Sequence, residues 1–191
     1  MLIIVEGESD KCFISQYYLY KKKSNFKIIV NNGNILCEAT NTNIIKSLNN
    51  GEKVCIIFDA DKSYKNTIEQ IRNKLGNLAN QVEIFLFPDN KSNGELETLL
   101  IQIAKQNEFV ECFDNYINCI ESKDKEAVKN IYKKSKMYAY QEVVGLQKEI
   151  KKINENNKIS RDFLYREEIF SKYFNFDSPA LKPLEEFLLK L

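Results

Sequence analysis

The chain has 191 residues, enough for one sizeable hydrophobic core and too few for two full-sized domains. Lys and Arg total 28 against 27 Asp and Glu, so the net charge of +1 provides no global attraction to nucleic acid or membrane, and any polyanion site must be a local patch. The sequence has no histidine, and its five cysteines (Cys12, Cys37, Cys55, Cys112, Cys119) fall in apolar patterns without a C-x-x-C pair, which excludes the usual zinc and thiol-redox sites.

The first residues enter a strand at once, with no basic leader and no apolar run long enough for a membrane span. A cytoplasmic protein with reduced thiols and no membrane contact is expected. Strands are predicted at 2–5 (LIIV), 27–30 (KIIV), 53–58 (KVCIIF) and 82–87 (VEIFLF), each rich in Ile, Val or Phe and bounded by turn residues. Helices are predicted between them at 9–22, 35–48 and 64–75, the first capped by Ser9 and presenting Phe13, Ile14, Tyr17 and Tyr18 to a core. Strand–helix alternation of this kind predicts an α/β fold: a Rossmann-like parallel sheet of about four strands flanked by helices.

After Pro88 the texture changes. A loop, DNKSNG, leads into a helix over 95–105, and all that follows reads as helix: 107–121, 124–135, 137–153, 161–173 and 180–190, with a hinge or exposed loop at 154–158. The expected division is an α/β core over 1–106 and an α-helical C-terminal extension over 107–191 packed on it. Residues 123–152 carry nine lysines against four acids, with Tyr132, Tyr138 and Tyr140 interleaved. Lys133, Lys134 and Lys136 are therefore candidate phosphate contacts beside stacking aromatics; a solvated helix face with core tyrosines is the plainer alternative. Arginine is confined to positions 72, 161 and 166, and lysine meets phosphate as a point charge, so backbone-directed binding fits better than reading of bases. The lysines at 21–23 end the first helix, where its dipole favours positive charge. The amphipathic tail, with Leu181, Leu184, Phe187 and Leu188 on one face, is expected to dock on the core, a homodimer or partner contact being the alternative.

The chemistry-bearing residues are carboxylates. In an open parallel sheet ligands bind beyond the carboxyl ends of the strands, and acids collect there: Glu6 after the first strand, Asp59 and Asp61 after the third, and Asp89, Glu95 and Glu97 after the fourth. Clustered carboxylates repel unless a cation or retained protons intervene, and an all-oxygen set without histidine suits Mg²⁺ or Mn²⁺. In an extended segment residues i and i+2 face one side, which predicts that Asp59 and Asp61 reach one metal together.

V-E-G-x-x-D at 5–10, followed by an apolar strand and D-A-D at 59–61, resembles the Toprim domain of primases, topoisomerases and overcoming-lysogenisation-defect-type nucleases. The stretches FPDNKSNGELETLL at 87–100 and FDSPALKPLEEFL at 176–188 look closer to a small family of bacterial Toprim-related proteins. The resemblance implies Glu6 as metal ligand or general acid/base, Asp59 and Asp61 as metal-binding aspartates with catalytic roles, Asp10 as the acid that follows the glutamate, and Glu97, then Glu95, as a further ligand. It implies Mg²⁺-dependent cleavage of DNA or RNA phosphodiesters; with no histidine in the chain, proton transfer must use a carboxylate, metal-bound water or a lysine such as Lys62 or Lys91, which are also candidate phosphate contacts. A non-catalytic nucleotide or nucleic-acid binding module acting with a partner, such as an ATPase encoded nearby, is the alternative. A phosphoacceptor receiver domain fits less well, because no fifth strand brings the lysine such a site needs. The chain departs from the primase pattern after the D-x-D, where Lys62-Ser63-Tyr64 stands in place of a glycine.

Overall fold

The computed structural model of the protein describes residues 1–23, 25–129, 131, 134–152 and 169–191, and the backbone alone of 153–157. Four strands form one all-parallel sheet in the order β2-β1-β3-β4: β1 (Leu2–Val5), β2 (Lys27–Val30), β3 (Val54–Asp59) and β4 (Val82–Phe87). Helices α1 (Glu8–Tyr20), α2 (Glu38–Asn49) and α3 (Tyr64–Leu75) connect them in turn. The predicted α/β class with a four-stranded parallel sheet is what the chain adopts.

Every strand alternates its side chains between two apolar layers, which is why these runs are almost continuously hydrophobic. Ile3, Val5, Cys55, Ile57, Phe85 and Phe87 face a core shared with Phe13, Ile14 and Tyr17 of α1. Leu2, Ile4, Val54, Ile56, Phe58 and Leu86 face Ile44 of α2 and Ile71 and Leu75 of α3. The chain passes from β1 to β2 on one side of the sheet's order and from β3 to β4 on the other. The topological switch therefore lies between β1 and β3, and the crevice at their carboxyl ends is where Glu6 and Asp59 emerge.

Beyond β4 come α4 (Leu96–Gln102), α5 (Asn107–Lys123), α6 (Lys125–Lys129), α7 (Ser135–Val143), α8 (Leu146–Asn157) and α9 (Lys182–Lys190). Among the described residues they form no core of their own: Leu96, Leu99, Met137, Tyr140, Phe174 and Leu184 belong to the same apolar cluster as the α1 face of the sheet. Tyr140 is a buried hub, its hydroxyl donating to the Tyr173 carbonyl (2.7 Å), lying 2.9 Å from Gln106 Oε1 and accepting the Lys105 N–H (3.2 Å). The C-terminal tail docks as expected. Leu181, Leu184 and Phe187 are buried, Phe187 packs on Phe85 with ring centroids 5.3 Å apart, and Lys21 reaches Glu185 (3.1 Å) and Asp177 (3.8 Å). The lysine that ends the first helix thus has carboxylate partners on the tail as well as the helix dipole.

Several predicted boundaries move. The N-cap of α1 is Gly7 rather than Ser9, because the Asp10 carboxylate accepts the Gly7 N–H at 2.7 Å and closes the first turn one residue pair earlier. Of the predicted helix 124–135, α6 covers Lys125–Lys129, and residues 130, 132 and 133 lie outside the described residues. The one at 137–153 divides into α7 and α8 at Gly145, whose φ of 79° is a left-handed helix stop. The helix α8 runs through Asn157, so the hinge predicted at 154–158 is helical over 154–157, where neither Gly nor Pro interrupts it. The predicted helix 161–173 lies outside the described residues up to 168, and its end is a 3₁₀ turn, Phe170–Lys172. A second 3₁₀ turn, Pro179–Leu181, leads into α9. Cys37, Cys112 and Cys119 are exposed rather than apolar-facing, and all five thiols are free. Among the described residues no helix is long and apolar enough to cross a membrane.

Candidate metal centre

The first acid rides on the end of β1. Glu6 follows the last strand residue, and its Oε2 is buried without a hydrogen-bond partner. Burial, then the nearby Asp10 and Asp61 carboxylates, push its pKa up to about 7, against a hydrogen bond from the Asp59 backbone. Asp10 is 6% exposed and caps α1 through Gly7; burial pushes it up to about 6, the Gly7 N–H opposes this, and Glu97 adds to it.

Asp59 is the last residue of β3 and is 7% exposed. Burial raises its pKa to about 8, reinforced by Asp10, Glu6 and Glu97 and opposed by the Leu96 N–H, which donates to Oδ1 at 2.7 Å. That N–H is one of the donors left open at the start of α4, so the helix begins by binding the strand's carboxylate. The loop before it is fixed by Gly94 and Asp61, which exchange backbone hydrogen bonds of 2.8 and 2.9 Å. Gly94 has φ 144°, and a Cβ there would come within 3.0 Å of Thr98 Oγ1 and 3.1 Å of Pro88 Cδ, so glycine is required. The next residues, Glu95 as the N-cap of α4 and Glu97 in its first turn, turn their carboxylates toward Asp59.

Asp59, Glu95 and Glu97 each offer an oxygen, and the three lie within 4.8 Å of one another. This acidic triad could hold a metal ion. Glu97 Oε2 is buried without a partner, while Oε1 receives the Lys134 ammonium at 2.7 Å; the same ammonium lies 3.8 Å from Glu95 Oε2. The carboxylates around it, Glu97 first, hold the Lys134 pKa above its ordinary value against partial burial. A single lysine from α7's N-cap therefore balances acids contributed by β3 and α4.

A family model described as a protein of unknown function, DUF3226, matches residues 1–191. The chain belongs to the DUF3226 family. No curated protein and no solved structure matches it.

Within this DUF3226 chain the predicted site residues separate into two groups. Glu6, Asp10, Asp59 and Glu97 come together at the switch point, where Asp10, Glu6 and Glu97 each raise the Asp59 pKa and Asp10 raises that of Glu6. Glu95, ranked behind Glu97 from sequence, is a full member of the triad. Asp61 is near enough to raise the Glu6 pKa, but strand alternation does not place it: β3 ends at Asp59, and Asp61 has a left-handed backbone (φ 53°). Its Oδ2 lies 3.4 Å from Asn34 Nδ2. Asp89 is committed to its own turn, accepting from the Lys91 and Ser92 N–H groups and the Ser92 hydroxyl, which holds its pKa low despite some burial.

Of the predicted phosphate contacts, Lys62 is exposed beside Asp61 and lines the cleft next to the triad. Lys91 is exposed on the Asp89 turn. Lys134 is drawn into the acids, and Lys136 pairs with Asp114 at 2.5 Å. Lys133 and Tyr132 lie outside the described residues. The ion pair between Lys134 and Glu97 had no sequence signal, since the partners are far apart in the chain and the lysine sits in a run of like residues.

Proposed function

We propose that the chain is a divalent-metal-dependent nuclease of the Toprim type, acting on phosphodiester bonds of DNA or RNA with Mg²⁺ or Mn²⁺. The observation that carries this reading is the convergence of Asp59, Glu95 and Glu97 within 4.8 Å at the sheet's topological switch, with Glu6 close enough to raise the Asp59 pKa. The residues suit such an ion. The donors are all carboxylate oxygens, and Glu6 Oε2 and Glu97 Oε2 are buried with no hydrogen-bond partner to satisfy them.

Asp59, Glu95 and Glu97 would hold the ion, with Glu6 and Asp61 at its edge. When bound, it supplies positive charge that stabilises a phosphoryl group undergoing displacement. The protein's own part is proton handling and positioning. Glu6, whose Oε2 is buried without a hydrogen-bond partner, would take a proton from an attacking water or return one to the leaving oxygen, a role histidine fills elsewhere and that no histidine can fill here. Asp10 holds the turn that carries Glu6.

The placement of the Lys134 ammonium on Glu97 and Glu95 favours a second reading, a non-catalytic nucleotide or nucleic-acid binding module that works with a partner protein such as an ATPase. Incubating the folded protein with DNA and with structured RNA, in Mg²⁺, Mn²⁺ or chelator, separates the two. Cleavage that needs metal and disappears in Glu6→Gln is expected. No cleavage of either substrate by folded protein would leave only the binding reading.

A further inference from the structure

Beside the triad, α4, α5 and α7 border an open cleft of about 640 Å³, within the range of roughly 300–1,000 Å³ typical of ligand pockets. Its walls are of two kinds. Ile101, Phe113, Ile117 and Met137 form an apolar side, and the Phe113 ring lies 5.9 Å from the ring of Tyr116, which is 55% exposed. The other side is charged: Glu95 and Glu97 of the triad, Asp61 and Asp114, with Lys62 and Lys136. Among the described residues the four acids outnumber these two lysines even with the Lys134 ammonium on Glu97 and Glu95 counted, so the mouth keeps a net negative charge that opposes a bare polyanion. The cleft thus joins a surface for a flat, apolar group to carboxylates that accept a phosphate only through a cation.

We propose that this cleft receives one unstacked base of a single-stranded nucleic acid, its phosphate lying over the metal-loaded triad; this rests on the metal-dependent reading of the site above. An unpaired base can leave its stack and enter such a recess, whereas in a duplex it is held between neighbours at an energetic cost to remove it. Base–aromatic stacking is sequence-tolerant, which agrees with a chain that has only three arginines. Because acids outnumber lysines at the mouth, binding requires the divalent ion even where no bond is cut.

The test is fluorescence anisotropy of a short labelled single strand, in deoxy and ribo forms, and of a hairpin duplex of the same composition, each with Ca²⁺, Mn²⁺ or chelator. The proteins are wild type, Phe113→Ala and Phe113→Leu, with cleavage and Mn²⁺-induced thermal shift measured in parallel. The single strand should bind more tightly than the duplex, only with metal. Phe113→Ala should weaken the single strand about tenfold, the size of one lost stacking contact, and leave the Mn²⁺ thermal shift unchanged. Phe113→Leu keeps this half-buried position apolar, so it should fold like wild type and still lose most of the single-strand preference. Binding that persists in chelator, a duplex bound as well as the single strand, or equal affinities in wild type and Phe113→Leu would overturn the proposal. Metal-dependent single-strand binding that Phe113 controls, without any cleavage, would uphold the cleft and remove the nuclease reading. Cleavage indifferent to Phe113 would do the reverse.

Discussion

The ammonium of Lys134 sits where a metal ion would compete for the same oxygens, and Lys134→Met is the most direct probe of the site. The side chain is 28% exposed, and its 2.7 Å contact with Glu97 has a gross Coulomb attraction of about 6 kcal/mol at an effective dielectric constant near 20. Most of that is offset by desolvation of both groups, and once the lysine is gone the neighbouring acids can hold protons; a net loss of about 2 kcal/mol in chelator is the expected balance. For a chain of this size that lowers the melting temperature by about 6 °C. The same interaction is one that metal must displace in wild type. Its removal should tighten Mn²⁺ binding by about 30-fold, the equivalent of about 2 kcal/mol. Thermal melts in chelator and calorimetric titration with Mn²⁺ measure the two effects, and methionine preserves the apolar stem so that packing is not confounded. An unchanged melting temperature, or Mn²⁺ binding that is equal or weaker in the mutant, would refute the placement of Lys134 as the resident counter-ion of the triad.

Three further expectations concern the same crevice and its supports. The pKa values of Asp59, Glu6 and Asp10 are raised to about 8, 7 and 6, so the native state binds protons more tightly than the unfolded chain. Their contribution to stability is full below about pH 4 and is lost as pH rises through the range from about 6 to 8. Asp59→Asn keeps an acceptor for the Leu96 N–H and removes one charge, so in chelator it should equal or exceed wild type at pH 8 and gain little from Mn²⁺; melts of the two proteins that fall in parallel with pH, with equal metal shifts, would contradict this. Gly94→Ala should cost about 1–3 kcal/mol by denaturant unfolding, since both its φ of 144° and the contacts with Thr98 and Pro88 oppose a Cβ. Tyr140→Phe should cost about 1–3 kcal/mol by the same assay, because Lys105 N–H and the Tyr173 carbonyl lose a buried partner; a change near zero would show that water replaces it.

The four strands were legible in the sequence because each is a short apolar run bounded by turn residues, and buried parallel strands have no other way to be written. The helices joining them were legible for the same local reason, and so was the docking face of the tail, whose Leu181, Leu184 and Phe187 recur at helical spacing. Sequence also placed Glu6, Asp59 and the Glu95–Glu97 pair after strands, and the rule that ligands meet parallel sheets at their carboxyl ends brought them to one edge. What periodicity could not show was which carboxylates share an ion-sized space. The D-x-D spacing pointed to Asp59 and Asp61 as strand neighbours, but β3 stops at Asp59 and the left-handed turn at Asp61 ends the alternation. The partners of Asp59 are instead set by the α4 N-terminus, whose Leu96 N–H binds it and whose Glu95 and Glu97 turn toward it. Lys134 was one lysine among nine in its segment until α7 packed its first turn against α4. Local pattern reports which face of an element avoids water, whereas a charge's partner is decided by elements far apart in the chain that only the packed fold brings within a few ångströms.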